Sequence, residues 1–179
     1  MDTPTLPKVI ILTTGGTIAS LGVNTLDIFD YNSGMLNAEA LLARIPEVKM
    51  FVDPILEDYG KLPSHAIGPK DWVQLVSQIN SLHDRYTDIA GVVVTHGTAT
   101  LEETAYFLHL TAKLTVPIVV VGAQRPITGI SSDGPLNLVN AVRVAAANNM
   151  QDMGVMVVMN DEIHCARDVS KRSVFRLNA

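Results

Sequence analysis

The chain has 179 residues, 47% hydrophobic and 17% charged, with a formal net charge of −5. It is long enough for one self-sufficient core and too apolar for a disordered segment. The acidic balance and the lack of any basic run exclude a non-specific binder of nucleic acid or of anionic membrane. No apolar run approaches the roughly 20 residues of a membrane span, and the opening MDTPTLPK lacks a signal peptide's charged and apolar regions. The single cysteine, Cys165, excludes an intrachain disulfide. It points to the cytoplasm, although a mature periplasmic form would read the same way.

In chain order, Lys8 to Leu12 (KVIIL) is an apolar run suited to a strand buried on both faces. It ends in Thr13-Thr14-Gly15-Gly16-Thr17-Ile18-Ala19-Ser20, which lacks the G-x-G-x-x-G spacing of a dinucleotide fold. Leu21 to Met35 has no clear period and reads as a long loop over a site. Asn37 caps a short helix, AEALLARI, closed by Pro46. Val48 to Leu56 carries one or two short strands, and Glu57 to His65 reads as a polar connection. Pro69 and Asp71 open a helix whose Trp72, Val76, Ile79 and His83 share a face, with Trp72 expected in the core.

Gly91 to Thr111 (GVVVTHGTATLEETAYFLHLT) reads as strand, turn and helix, with Thr100 and Glu103 spaced as a capping box. The turn between them suits either a small anion or an ordinary capped connection. Val116 to Val121 is a further buried strand ending in Gly122-Ala123-Gln124-Arg125-Pro126. Ser131 to Pro135 leads into a helix over Leu136 to Asn148, capped by Asp133 or a nearby serine. Gly154 to Met159 is the last clear strand, and Asn160 to His164 its exit. Alternating strands and helices predict a parallel α/β sheet covered on both faces. The polar clusters TTGGT, THGTAT, AQRP and NDEIH then fall at strand ends, where such sheets bind ligands.

These residues limit the chemistry. The five histidines lack metal-ligand spacing, and both the serine-hydrolase elbow and the P-loop are missing. Cys165 beside Ala166 reads as inert rather than nucleophilic. Thr17 could serve as a nucleophile, and Thr98 as a second hydroxyl activated by a basic group, for which Arg167, Lys171 and Arg172 are the candidates. The competing reading is that both threonine-lined turns are structural.

Five blocks in order decide between these: TTGGTIAS, VVVTHGTATLEETAYFL, VPIVVVGAQRP, SSDGPLNLVNAV and VMNDEIHCARDVSK. From about Lys8 to Lys171 the chain resembles the bacterial-type L-asparaginases and glutaminase-asparaginases. The resemblance implies a three-layer, flavodoxin/Rossmann-like α/β domain, the family's nucleophile-bearing N-terminal domain, over residues 1–179. It also implies cofactor-free hydrolysis of the side-chain amide of L-asparagine, or L-glutamine, through a threonine acyl-enzyme. By position, Thr17 is the nucleophile, Tyr31 its hydrogen-bond partner, and Thr98 a second threonine helped by Lys171 as a neutral amine. Ser64 matches the family's ligand for the substrate α-carboxylate, with His65 beside it. Main-chain N–H groups around Gly97, Thr98 and Ala123 would hold the oxyanion. A small-molecule amide is the expected partner, and a homo-oligomer (dimer or tetramer) the expected assembly.

Three departures stand out. The family turn T-H-G-T-D-T carries an aspartate for the substrate ammonium, and this chain has Ala99. His65 stands where glutamine is common. The family's second domain, which contributes an acidic residue from a neighbouring subunit, has no counterpart before Ala179, and without it the assembly is expected to be weaker. Three readings therefore stand open: an asparaginase-type amidohydrolase, an amidase for amides lacking the α-amino group, and a silent binding or assembly module.

Overall fold

A computed structural model describes residues 5–178. The reading of the leader therefore lies partly outside the described residues, in 1–4, as does the last residue, 179. Six strands form one sheet: β1 (Lys8–Gly15), β2 (Asp53–Leu62), β3 (Ile89–Thr95), β4 (Ile118–Val121), β5 (Val155–Met159) and β6 (Glu162–Cys165). Their order is β2-β1-β3-β4-β5-β6, parallel except that β6 runs antiparallel to β5. The first five give the 2-1-3-4-5 order of a doubly wound, flavodoxin-like sheet.

The strand runs are continuously apolar because successive side chains serve opposite layers. On one face Val9, Ile11, Val93, Val119 and Val158 pack against α1 (Ala38–Leu42) and α4 (Gly134–Ala145), through Leu41, Leu138 and Val142. On the other, Ile10, Leu12, Val92, Val94 and Val120 meet α2 (Pro69–Arg85) and α3 (Leu101–Thr111), through Leu75, Ile79, Leu82 and Leu108. Three layers result, as the alternating pattern predicts. Each fully buried aliphatic side chain contributes about 1.5–3 kcal/mol before the entropy of ordering is counted.

Several local expectations are corrected. The strand expected within 48–56 begins only at Asp53, after a short 3₁₀ turn over Pro46–Met50, and then runs through the supposed polar connection to Leu62. As an edge strand β2 tolerates polar residues, and its carboxylates have partners. Glu57 accepts from Arg85 Nη1 at 2.7 Å, and Asp58 accepts from Thr13 Oγ1 and from Ala38 N. The buried stripe of α2 is Leu75, Ile79 and Leu82; His83 is exposed and Trp72 half-buried.

Thr100 makes no capping box, because its hydroxyl donates to Ser64 O at 2.6 Å. A tertiary acceptor takes the group that the local pattern assigned to the helix end. Asp133 sits at the N-cap position of α4 without capping it, and Ser132 Oγ accepts from Gly134 N at 3.3 Å instead. The exit after β5 is a hairpin. Asn160 and Asp161 take φ of 53° and 62°, the left-handed pair that closes a two-residue turn into β6.

Candidate active site

The sheet order positions the site. From β1 the chain crosses to β2 on one side, whereas from β3 it proceeds to β4 and β5 on the other. The switch point, where such sheets bind ligands, thus lies between the carboxyl ends of β1 and β3. Those ends carry Thr17 and Thr98.

Two glycines let the turns meet. Gly16 has φ of 76°, and a Cβ there would lie 2.3 Å from Gly97 Cα and N. A Cβ on Gly97 would lie 2.5 Å from Ser64 Cβ. Only bare backbone fits, and the two threonines are drawn to one cleft as a result.

The cleft is a cavity of about 350 Å³ lined by Thr17, Tyr31, Ser64, His65, Thr98 and Lys171, among others. Thr17 Oγ1 and Tyr31 OH are hydrogen-bonded at 2.9 Å. Across the cleft Lys171 Nζ donates to Thr98 Oγ1 at 2.5 Å and reaches Gln124 Oε1 at 3.4 Å. Burial lowers the Lys171 pKa, because desolvation disfavours the ammonium. Ser64 Oγ accepts from Ala99 N at 3.2 Å, leaving its own proton free to donate. Tyr31 comes from the long loop after β1, which is tied down by the antiparallel bridge between Leu21 and Asn32, by Gly22 N donating to Thr128 Oγ1 at 2.9 Å and by Ile130 N donating to Thr25 O at 2.7 Å.

Gly97 and Ala123 lie behind this surface, both buried and outside the lining. Their contribution can only come from main chain. The Gly97 peptide is oriented by a buried relay in which Trp72 Nε1 donates to Thr104 Oγ1 at 2.9 Å. Thr104 and His96 Nε2 are 3.0 Å apart, and His96 Nδ1 meets Gly97 O at 2.7 Å. A carbonyl only accepts, so His96 Nδ1 carries the proton and Nε2 accepts from Thr104. Burial pushes the His96 pKa down to about 4, so the ring is neutral. With Gly97 O held by His96, the trans peptide turns the Thr98 N–H the opposite way.

The turn after β4 is pinned by Asp133, whose carboxylate accepts from Gln124 N at 2.8 Å and Arg125 N at 2.9 Å. Asn137 bridges Gly122 O, Asp133 and Asn160 N, joining the ends of β4 and β5.

Three contributors were not singled out in the sequence. Gln124 lies in the AQRP cluster and touches Lys171. Glu102, in the first turn of α3, accepts from Lys171 N and from Ser170 Oγ, the latter at 3.4 Å, and so fastens the coil that carries the lysine. Phe29 and Phe175 face each other at 5.6 Å, ring planes 83° apart, beside the cleft mouth. The strand-end position marked Gln124; nothing local marks Glu102 or the phenylalanine pair. Cys165 is exposed on β6, and no group of three or more His, Cys, Asp or Glu able to hold a metal occurs among the described residues. No helix among them is long and apolar enough to cross a membrane.

A switch-point cleft on a doubly wound sheet thus brings together two threonine hydroxyls, one bonded to a tyrosine and the other to a desolvated lysine. Residues 8–179 match the family description "Asparaginase, N-terminal", and the chain belongs to the asparaginase family. It is 45% identical over 166 residues to the glutaminase-asparaginase of Pseudomonas fluorescens biotype A, covering 93% of this chain and 46% of that protein. It is 46% identical over 168 residues to a probable periplasmic L-asparaginase of Haemophilus influenzae, covering 94% and 47%. The crystal structure of a probable cytoplasmic L-asparaginase from Campylobacter jejuni matches with a TM-score of 0.92 at 40% identity, over 97% of this chain and 52% of that one. The chain thus spans about half the length of the relatives it matches.

Proposed function

We propose that this chain carries the nucleophile-bearing half of an amidohydrolase that hydrolyses the terminal carboxamide of a small linear amide, the reaction L-asparaginases perform on L-asparagine and glutaminase-asparaginases also on L-glutamine. The carrying observation is the pair of threonine hydroxyls facing one cleft, Thr17 bonded to Tyr31 and Thr98 to Lys171. Thr17 Oγ1 adds to the amide carbon, its proton passes to the departing nitrogen, and the C–N bond breaks to release ammonia. Water then attacks the acyl-threonine ester, returning the hydroxyl proton to Thr17 and freeing the carboxylate.

Tyr31 aims Thr17, and Thr98 with Lys171 forms the opposite wall, where a neutral amine can take a proton from the hydroxyl or from an attacking water. The main-chain N–H of Thr98, oriented through His96 and Gly97, is the oxyanion donor in this reading, a contribution typically of about 3–4 kcal/mol. The proposed compartment is the cytoplasm and the proposed assembly a homo-oligomer, both on the family resemblance. Substitution Thr17→Ala tests the nucleophile. It should reduce ammonia release by about a thousandfold or more and abolish hydroxamate formation when hydroxylamine is offered to the acyl-enzyme. Turnover at the full rate in that variant would remove Thr17 from the role.

A further inference from the structure

Lys171 stands between two cavities. The cleft is one; the other, of about 230 Å³, shares Thr98, Gln124 and Lys171 with it and is otherwise lined by residues such as Leu101 of α3, Val157 of β5 and His164 of β6. With space on both sides, packing alone does not hold a flexible four-carbon side chain in one place. Two contacts at its amine do, with Thr98 Oγ1 at 2.5 Å and Gln124 Oε1 at 3.4 Å. Gln124 is itself well anchored. Its main-chain N–H donates to Asp133 at 2.8 Å, and the same carboxylate accepts from Arg125 N and from the buried Asn137 side chain. Two residues earlier, Gly122 packs its backbone so tightly that a Cβ would lie 2.8 Å from His96 O. The Gln124 carboxamide is thus presented from a turn held against the strand end that carries Thr98.

The two contacts ask different things of the amine. To take a proton from the Thr98 hydroxyl, Lys171 must be neutral, with two N–H groups and one lone pair. With one N–H held by Gln124 Oε1, the lone pair can turn to the hydroxyl. A carboxamide suits this place because it accepts without carrying charge, whereas a carboxylate there would hold the ammonium. We infer that Gln124 is a positioning residue of the site, its Oε1 holding one N–H of the neutral Lys171 amine so that the lone pair faces the Thr98 hydroxyl. This rests on the amidohydrolase reading above and adds a residue to it.

The test reads Lys171 directly, by competitive acetylation across pH with mass-spectrometric detection, in the unaltered chain, Gln124→Met and Gln124→Glu. Over the same pH range it follows kcat for ammonia release from L-asparagine. An amide oxygen on the amine favours the ammonium modestly and a carboxylate favours it strongly. The labelling midpoint should therefore fall in Gln124→Met and rise by about one pH unit or more in Gln124→Glu. The alkaline limb of kcat should move with it. In Gln124→Met the plateau above that limb should drop about tenfold with KM little changed, since the amine is then neutral but no longer aimed. The other titratable groups around Lys171 among the described residues are Glu102, Glu103, Arg172, Glu162, His164, Tyr31 and His65. All are the same in the three proteins, so a difference between them reports position 124. Equal midpoints would overturn the inference, as would an undiminished plateau in Gln124→Met. Lower activity with an unmoved limb would also overturn it, because a damaged turn alone produces that. Should Thr17→Ala keep full turnover while the midpoints follow the stated order, the nucleophile reading fails and the role of Gln124 stands.

Discussion

Acid should weaken this fold through one residue, His96. The ring is fully buried, holds Gly97 O with one nitrogen and accepts from Thr104 with the other, so no site remains for a second proton without breaking the relay. Its folded-state pKa of about 4 lies below the ordinary value of 6.5. The sign follows directly. Between these values the unfolded chain takes up a proton that the native chain refuses, so the contribution is intact above pH 6.5 and declines as pH falls. Linkage puts the loss at about 2 kcal/mol by pH 5 and about 3 kcal/mol by pH 4 from this group alone. Denaturant unfolding at pH 7, 5 and 4, on the chain and on His96→Gln, isolates it. The variant has no imidazole to titrate, so whatever its stability at pH 7, its decline toward pH 4 should be shallower by about that amount. Parallel declines would refute the argument. So would a His96 resonance titrating near its ordinary pKa in the folded protein, a measurement that does not depend on the variant folding.

Three further outcomes follow from the site. Gly16→Ala places a Cβ 2.3 Å from Gly97 backbone at a φ of 76°; it should cost about 3 kcal/mol or more, and a melting temperature equal to the parent's would show that the two turns do not meet so closely. Glu102→Ala frees the Lys171 coil and should lower kcat about tenfold with KM little changed, Glu102→Gln restoring part of the loss through its remaining carbonyl. If the neutral Lys171 amine assists Thr98, activity should rise with pH along a limb centred below 10.5, the ordinary lysine value, since burial lowers this pKa. Lys171→Met should remove that limb, and a limb centred at or above 10.5 would speak against the role.

The parts of this fold legible in sequence are those where one physical demand dominates. KVIIL, GVVV and GVMVVM must be buried on both faces, and they occupy β1, β3 and β5 between two helical layers. Where demands compete, local reading loses. Thr100 matches a capping pattern, but its hydroxyl serves the carbonyl of Ser64, 36 residues away. Glu57 and Asp58 look like loop residues because the Arg85, Thr13 and Ala38 groups that satisfy them come from other elements. Strand β6 is short, polar and at an edge, so its only local mark is the Asn160–Asp161 turn.

The site follows the same division. Composition and strand ends locate it, since Gly16 and Gly97 are needed wherever two such turns touch. They do not say which base meets which hydroxyl. Lys171 reaches Thr98 across 73 residues of chain, through a coil with little pattern of its own, and only the resemblance to a family singled it out among three basic candidates. Ala99 is the opposite case, because there the chain departs from the family turn. The same THGTAT turn that supplies the Thr98 hydroxyl contributes a methyl beside it, and among the described residues no aspartate or glutamate lines the cleft. The hydroxyl that Lys171 holds and the side chain that departs from the family turn thus stand on adjacent residues of one strand-end turn, where local sequence gives the place and only the fold gives the partners.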